Sequence, residues 1–179
     1  MSLFNFMISK SIMKVPSPIV RYFAKDYVAG STLDDAVNLS RELNEKNIET
    51  TLDILGEYIT SKEEALPSKE ECLRILETIK KEKLVANLSV KPTQLGLLLD
   101  QEFAYDNLRD VVAKGAELDI FIRLDMENTE SLKGTLEIYR RLRDEFPNHV
   151  GTAIQSYMRS SRDDVEGLSD KPMNIRLVK

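Results

Sequence analysis

Short apolar runs rich in β-branched residues alternate with helical segments along most of this chain, and no other feature limits its fold as strongly. The runs lie in "ETTLDILGEY", "LVANLSV", "DIFIRLDME", "VGTAIQSYM" and "NIRLVK". They predict strands near residues 51–55, 85–90, 119–124, 150–155 and 174–178. Between them come segments of helical period. "STLDDAVNLSRELNEKNI" opens on the candidate caps Ser31 and Thr32. "LPSKEECLRILETIKKEK" is expected to start at Pro67 and Ser68, and "AYDNLRDVVAKGAEL" to stop at Gly115. "TESLKGTLEIYRRLRDEF" ends before Pro147, and "RDDVEGLSD" predicts a short helix. Strands that are apolar on both faces and separated by helices are the mark of parallel βαβ units. Right-handed crossovers then follow. Five such strands fit an open doubly wound sheet or part of a (β/α)₈ barrel, which takes about 250 residues when complete.

Composition narrows the function. The 179 residues suffice for one core, and the net charge of −5 argues against a nucleic-acid partner. A lone cysteine, Cys72, forms no intramolecular disulfide and falls on the apolar stripe of a helix, which fits a reducing, cytoplasmic setting. His149 has no second His or Cys partner for zinc. No stretch is apolar enough to span a membrane. Residues 1–30 are basic and amphipathic, and predict a helical lead-in that packs on its own domain. Peripheral contact with a membrane surface is the alternative. The expected division is a helical region over 1–48 and a βα region over 49–179. GxGxxG and GxxxxGK[ST] phosphate loops are both absent.

In parallel α/β proteins ligands gather at the carboxyl ends of the strands. There the sequence delivers Asp53 and Glu57, then Ser89, Lys91, Thr93 and Gln94, then Arg123, Asp125, Met126 and Glu127. Gln155, Tyr157 and Arg159 follow, and finally Arg176, Val178 and Lys179. A charge in a buried strand must be paired or used. Lys91 and Asp125 are therefore the leading pair: Lys91 could meet a carboxylate, and Asp125 could hold that lysine or another cation. A structural ion pair at a barrel mouth explains them equally well. Gln155 suits a planar heterocycle or a barrel-lining amide. Arg176 suits a phosphate, a ring carbonyl or a scaffold carboxylate.

The ordered set "LDILGE", "NLSVKPTQLGL", "IRLDME", "AIQSYMRSSRDD" and "IRLVK" resembles the proline dehydrogenase family. The resemblance implies a distorted (β/α)₈ barrel with FAD at its mouth. It also implies oxidation of L-proline to 1-pyrroline-5-carboxylate, with electrons passed to a quinone or another acceptor. By motif, Lys91 matches the lysine that holds the substrate carboxylate and Leu177 the pocket wall. Asp125 matches the acidic catalytic residue and Arg176 the arginine beside the reacting part of the flavin. Met126, Gln155, Val178 and Lys179 match flavin contacts. The implied setting is cytoplasmic, with a peripheral contact to the inner membrane as a further possibility.

The family continues past "RLVK" with a Gly-Ala-Tyr run, three more strands and a helix bearing paired arginines. The expectation is therefore a partial barrel of about five strands, preceded by N-terminal helices. Such a chain alone would have an open edge prone to self-association and little activity. Two alternatives are a non-catalytic half-barrel that serves as an interaction module and an unrelated small α/β binding protein.

Overall fold

The computed structural model describes residues 29–30, 32–56 and 59–179. The amphipathic segment before Ala29, the candidate cap Ser31 and the strand-end candidate Glu57 lie outside the described residues. The chain divides into two units, residues 1–39 and 40–179. The described part of the first unit is essentially the opening of helix α1 (Leu33–Asn44). Thr32 and Asp35 close that end reciprocally: the Asp35 N–H donates to Thr32 Oγ1 at 3.2 Å, and the Thr32 N–H donates to Asp35 Oδ2 at 3.1 Å.

The second unit is a run of βα units. Its elements are β1 (Thr50–Asp53), α2 (Lys62–Lys81), β2 (Ala86–Val90) and a 3₁₀ turn (Pro92–Leu95). Then come α3 (Gln101–Leu118), β3 (Ile122–Leu124), α4 (Thr129–Glu145), β4 (Val150–Gln155), α5 (Ser161–Glu166) and β5 (Ile175–Val178). The sheet order is β1-β2-β3-β4-β5 and every pairing is parallel. A doubly wound sheet must reverse its strand order somewhere. This one advances in a single direction, so crossovers of one hand lay their helices on one face. The strands curl into a half-barrel.

Side chains alternate across the sheet. Leu88, Ile122 and Leu124 turn to the helices and are fully buried, as are Leu76, Leu108 and Leu142 of the helices themselves. Each such side chain contributes roughly 1.5–3 kcal/mol by leaving water. Among the described strands, β4 alone is buried along its whole length.

Two helix boundaries differ from expectation. α2 starts at Lys62, and Pro67 lies inside it. Ser61 is extended at the cap, and the Glu64 carboxylate accepts from the Thr60 N–H at 2.7 Å. With Ala65 fully buried, this first turn forms despite the hydrogen bond that Pro67 cannot donate. The second difference is Gly115, which does not end α3. A Cβ there would stand 2.8 Å from the Ile120 carbonyl oxygen and 2.9 Å from Ile122 Cδ1. The glycine serves close packing, while Asp119 takes the left-handed conformation (φ 58°) that ends the helix.

The same ending recurs three times. Asn47, Lys83 and Asp119 all have φ between 55° and 59°, and the steps from 47 to 83 and from 83 to 119 are each 36 residues. After each, an apolar residue (Ile48, Leu84, Ile120) donates its N–H five residues back, to Leu43, Ile79 and Gly115 respectively. The left-handed residue donates three residues back, which completes a Schellman motif. Two residues after each apolar residue the next strand begins, at Thr50, Ala86 and Ile122. Lys80 adds a charged cap to α3, donating from Nζ to the Leu118 carbonyl at 2.8 Å.

Cys72 is buried, and burial pushes its thiol up to about 12. No helix among the described residues is long and apolar enough to cross a membrane.

These observations set three expectations. Gly115→Ala should lower the unfolding free energy by about 1–3 kcal/mol, because the added methyl meets backbone. Lys83→Gly should raise it by up to about 1 kcal/mol, through relief of the left-handed penalty. Denaturant midpoints with unchanged slopes test both. Alkylation of Cys72 by iodoacetamide at mildly alkaline pH should occur only as fast as the protein opens, since the folded thiol stays protonated well above its ordinary range.

Candidate active site

Register decides which polar residues share the concave face. Asp53 pairs with Ser89, Ser89 with Arg123, Arg123 with Gly151, Ala153 with Arg176, and Gln155 with Val178. By alternation Asp53, Ser89, Lys91, Arg123, Asp125, Gln155, Arg176 and Val178 stand on the side away from the helices. Leu177 stands on the other side and is 66% exposed.

The charges here are paired between neighbouring strand ends. The Lys91 ammonium donates to Asp53 Oδ2 and, at 3.3 Å, to the Ile54 carbonyl. Arg176 Nη2 donates to Asp125 Oδ1 at 3.4 Å. Thus Lys91 does meet a carboxylate, but that of β1, while Asp125 holds the arginine of β5. Deeper in the concave face, Arg123 crosses above Gly151. Its Nη1 donates to the carbonyls of Thr152 and Asn174 at 3.2 Å, and its guanidinium lies 4.8 Å from the Phe121 ring centre. Burial, and secondarily the like charge of Arg176, pulls the Arg123 guanidinium below its usual range.

A second set of bonds fixes the loops above. Thr93 donates through Oγ1 to Glu127 Oε1 at 2.5 Å and through its N–H to Oε2 at 3.0 Å. This ties the 3₁₀ turn after β2 to the segment after β3. Gln155 donates through Nε2 to the Met126 carbonyl at 2.7 Å, tying β4 to that same segment. Asn128 then caps α4, accepting from the Ser131 N–H at 2.9 Å. A cavity of about 230 Å³ opens here, and Lys91, Asp125, Met126 and Lys179 are among its walls. Of the strand-end residues named from sequence, these four and the Thr93–Glu127 pair are brought together. Gln155 reaches the cavity through the Met126 carbonyl, and Arg176 through Asp125.

Three polar atoms on this face are buried with no hydrogen-bond partner among the described residues: Ser89 Oγ, Gln155 Oε1 and Arg176 Nε. Leaving such an atom unmet costs roughly 1–3 kcal/mol. Gln155 presents an acceptor and Arg176 a donor. That combination complements a planar heterocycle with both functions on its edge.

The proline dehydrogenase family model matches residues 36–179. The chain belongs to the proline dehydrogenase family. It is 36% identical over 159 residues to proline dehydrogenase 1 of Bacillus subtilis subsp. natto, and 33% identical over 160 residues to proline dehydrogenase of Deinococcus radiodurans. Those alignments take in 89% and 87% of this chain. The chain spans about half the length of these curated relatives, 52% in each case. Among solved structures, proline utilization A from Bdellovibrio bacteriovorus, inactivated by N-propargylglycine, matches with a TM-score of 0.80 and 28% identity, covering 89% of this chain and 20% of that one.

Asp53, Thr93 and Glu127 are strand-end residues to which sequence alone attached no role. The signal they carried was a shared position after a strand; their partners follow from register. Thr93→Val keeps the shape and removes the hydroxyl bond to Glu127. It should cost about 1.5–3 kcal/mol in chemical denaturation, the range for a bond to a charged acceptor.

Proposed function

We propose that this chain supplies the first strands of the catalytic barrel of an FAD-dependent proline dehydrogenase, which oxidises L-proline to 1-pyrroline-5-carboxylate. The observation that carries the reading is the juxtaposition of Lys91 and Asp125 on one cavity, in a chain of this family. Proline is a zwitterion. A lysine and a carboxylate on one small cavity complement its two charges and leave its ring to apolar contact.

Lys91 would hold the substrate carboxylate by a charge-assisted bond. Asp125 would sit beside the substrate nitrogen, with Arg176 limiting the movement of its carboxylate. Positioning of this kind is where most of the rate gain of such a reaction is expected. Gln155 and Arg176 would hold the flavin through Oε1 and Nε, with Met126, Val178 and Lys179 as further contacts. A bound flavin would supply the acceptor for the hydride that leaves the proline ring. Val178 shares the concave face with Arg176, so it takes the apolar wall for which Leu177 was expected. A quinone or another acceptor would complete turnover.

The test is direct. A protein that carries these strands within the whole barrel should show visible flavin absorbance when purified and reduce a dye with L-proline. N-propargylglycine, the inactivator of the Bdellovibrio bacteriovorus protein, should abolish that activity, and L-proline should protect. A whole barrel that is flavin-free and leaves L-proline untouched would overturn the reading. Asp125 and Arg176 are each about a third exposed and 3.4 Å apart, so their pairing stabilises the fold by no more than about 1 kcal/mol. Asp125→Ala should therefore lower turnover by about a hundredfold or more while leaving the denaturation midpoint nearly unchanged. Equal losses in both would make Asp125 a scaffold residue.

A further inference from the structure

We infer that Asp53 is a positioning residue for substrate capture: it fixes the Lys91 ammonium at the edge of the cavity so that one N–H is left for an incoming carboxylate. The inference rests on the proline dehydrogenase reading of this site and adds to it a residue from another strand.

A lysine head carries three N–H donors on a stem of four carbons, and an unanchored stem moves through many rotamers. Here the stem is largely buried, with the Lys91 side chain 13% exposed. Two of its donors are engaged on the same neighbour: Asp53 Oδ2 at the end of β1, and the Ile54 carbonyl one residue on. Both acceptors come from the β1 end, so they hold the head from one flank. Among the described residues these are its two acceptors, and Lys91 is a wall of the cavity.

Asp53 reaches this place through register. It lies beside Ser89, two residues before Lys91 on the same face of the sheet. The Asp53 side chain is about a third exposed, so the pair is screened and contributes little to stability. Its main effect is entropic: it restricts the ammonium before a ligand arrives, which lowers the cost of binding. Asp125 is already engaged with Arg176 and the Met126 N–H, so it does not compete for the lysine.

Asp53→Asn keeps the shape and an acceptor oxygen while removing the charge. With L-proline, KM should rise about tenfold, the scale of one hydrogen bond to a charged group, and kcat should change by less than about twofold. With pyrrolidine, which has the same ring and no carboxylate, KM should not move. Asp53→Glu should recover part of the L-proline loss. Independently of turnover, labelling of Lys91 by acetic anhydride, read by mass spectrometry against the other lysines, should increase in Asp53→Asn.

An unchanged KM for L-proline would overturn the inference. So would parallel shifts for both substrates, which mark a general disturbance of the site. If the wild-type protein oxidises no L-proline, the functional reading fails, and the labelling then decides the role of Asp53: unchanged labelling of Lys91 overturns it.

Discussion

The sheet advances one strand at a time in one direction, and most of what the molecule does follows from that. Same-handed crossovers then cover one face with helices and leave the other for side chains of a different kind. The helix side is filled by Leu88, Ile122, Leu124 and their neighbours. The concave side carries Asp53, Lys91, Arg123, Asp125, Gln155 and Arg176. Charges in that position must find partners, and they find them sideways, on the adjacent strand or in the loops.

The strand ends are held in register from the opposite end of the barrel. Three helices close with a left-handed residue, an apolar residue bonded back into the helix, and a strand two residues later. The equal steps between Asn47, Lys83 and Asp119 mean that β1, β2 and β3 enter the sheet in equivalent ways. Register then sets the places at the top: Asp53 lies beside Ser89, and Val90 and Leu124, each one residue before Lys91 and Asp125, lie side by side. Asn, Lys and Asp occupy the left-handed position, where glycine is most common. Gly115 is held instead by the close approach of Ile120 and Ile122.

At the top, bonds between loops set the geometry more than ion pairs set the stability. Thr93 to Glu127 and Gln155 to the Met126 carbonyl join the ends of β2, β3 and β4 into one rim. The Lys91–Asp53 and Arg176–Asp125 pairs are partly exposed and contribute little to the folding free energy. Their consequence is orientation. They leave a cation and a carboxylate facing one small space, and a glutamine oxygen and an arginine nitrogen on the same face of the sheet have no described partner.

The parallel α/β plan is legible in the chain itself, because strands apolar on both faces and spaced by amphipathic helices admit few others. So is the arrival of Lys91, Asp125 and Gln155 at strand ends, whereas Arg176 lies within β5, and the ordered motifs point to the family that the comparisons establish. Period two places a residue on a face without saying which neighbour comes within hydrogen-bonding distance. Register and curl decide that, and they emerge only when all five strands are assembled. Hence Asp53 as the partner of Lys91, the Thr93–Glu127 tie, the turn of Leu177 away from the concave face and the packing role of Gly115 belong to the assembled fold. The start of α2 before Pro67 belongs there as well: burial of Ala65 and the Glu64–Thr60 bond outweigh the local signal of the proline.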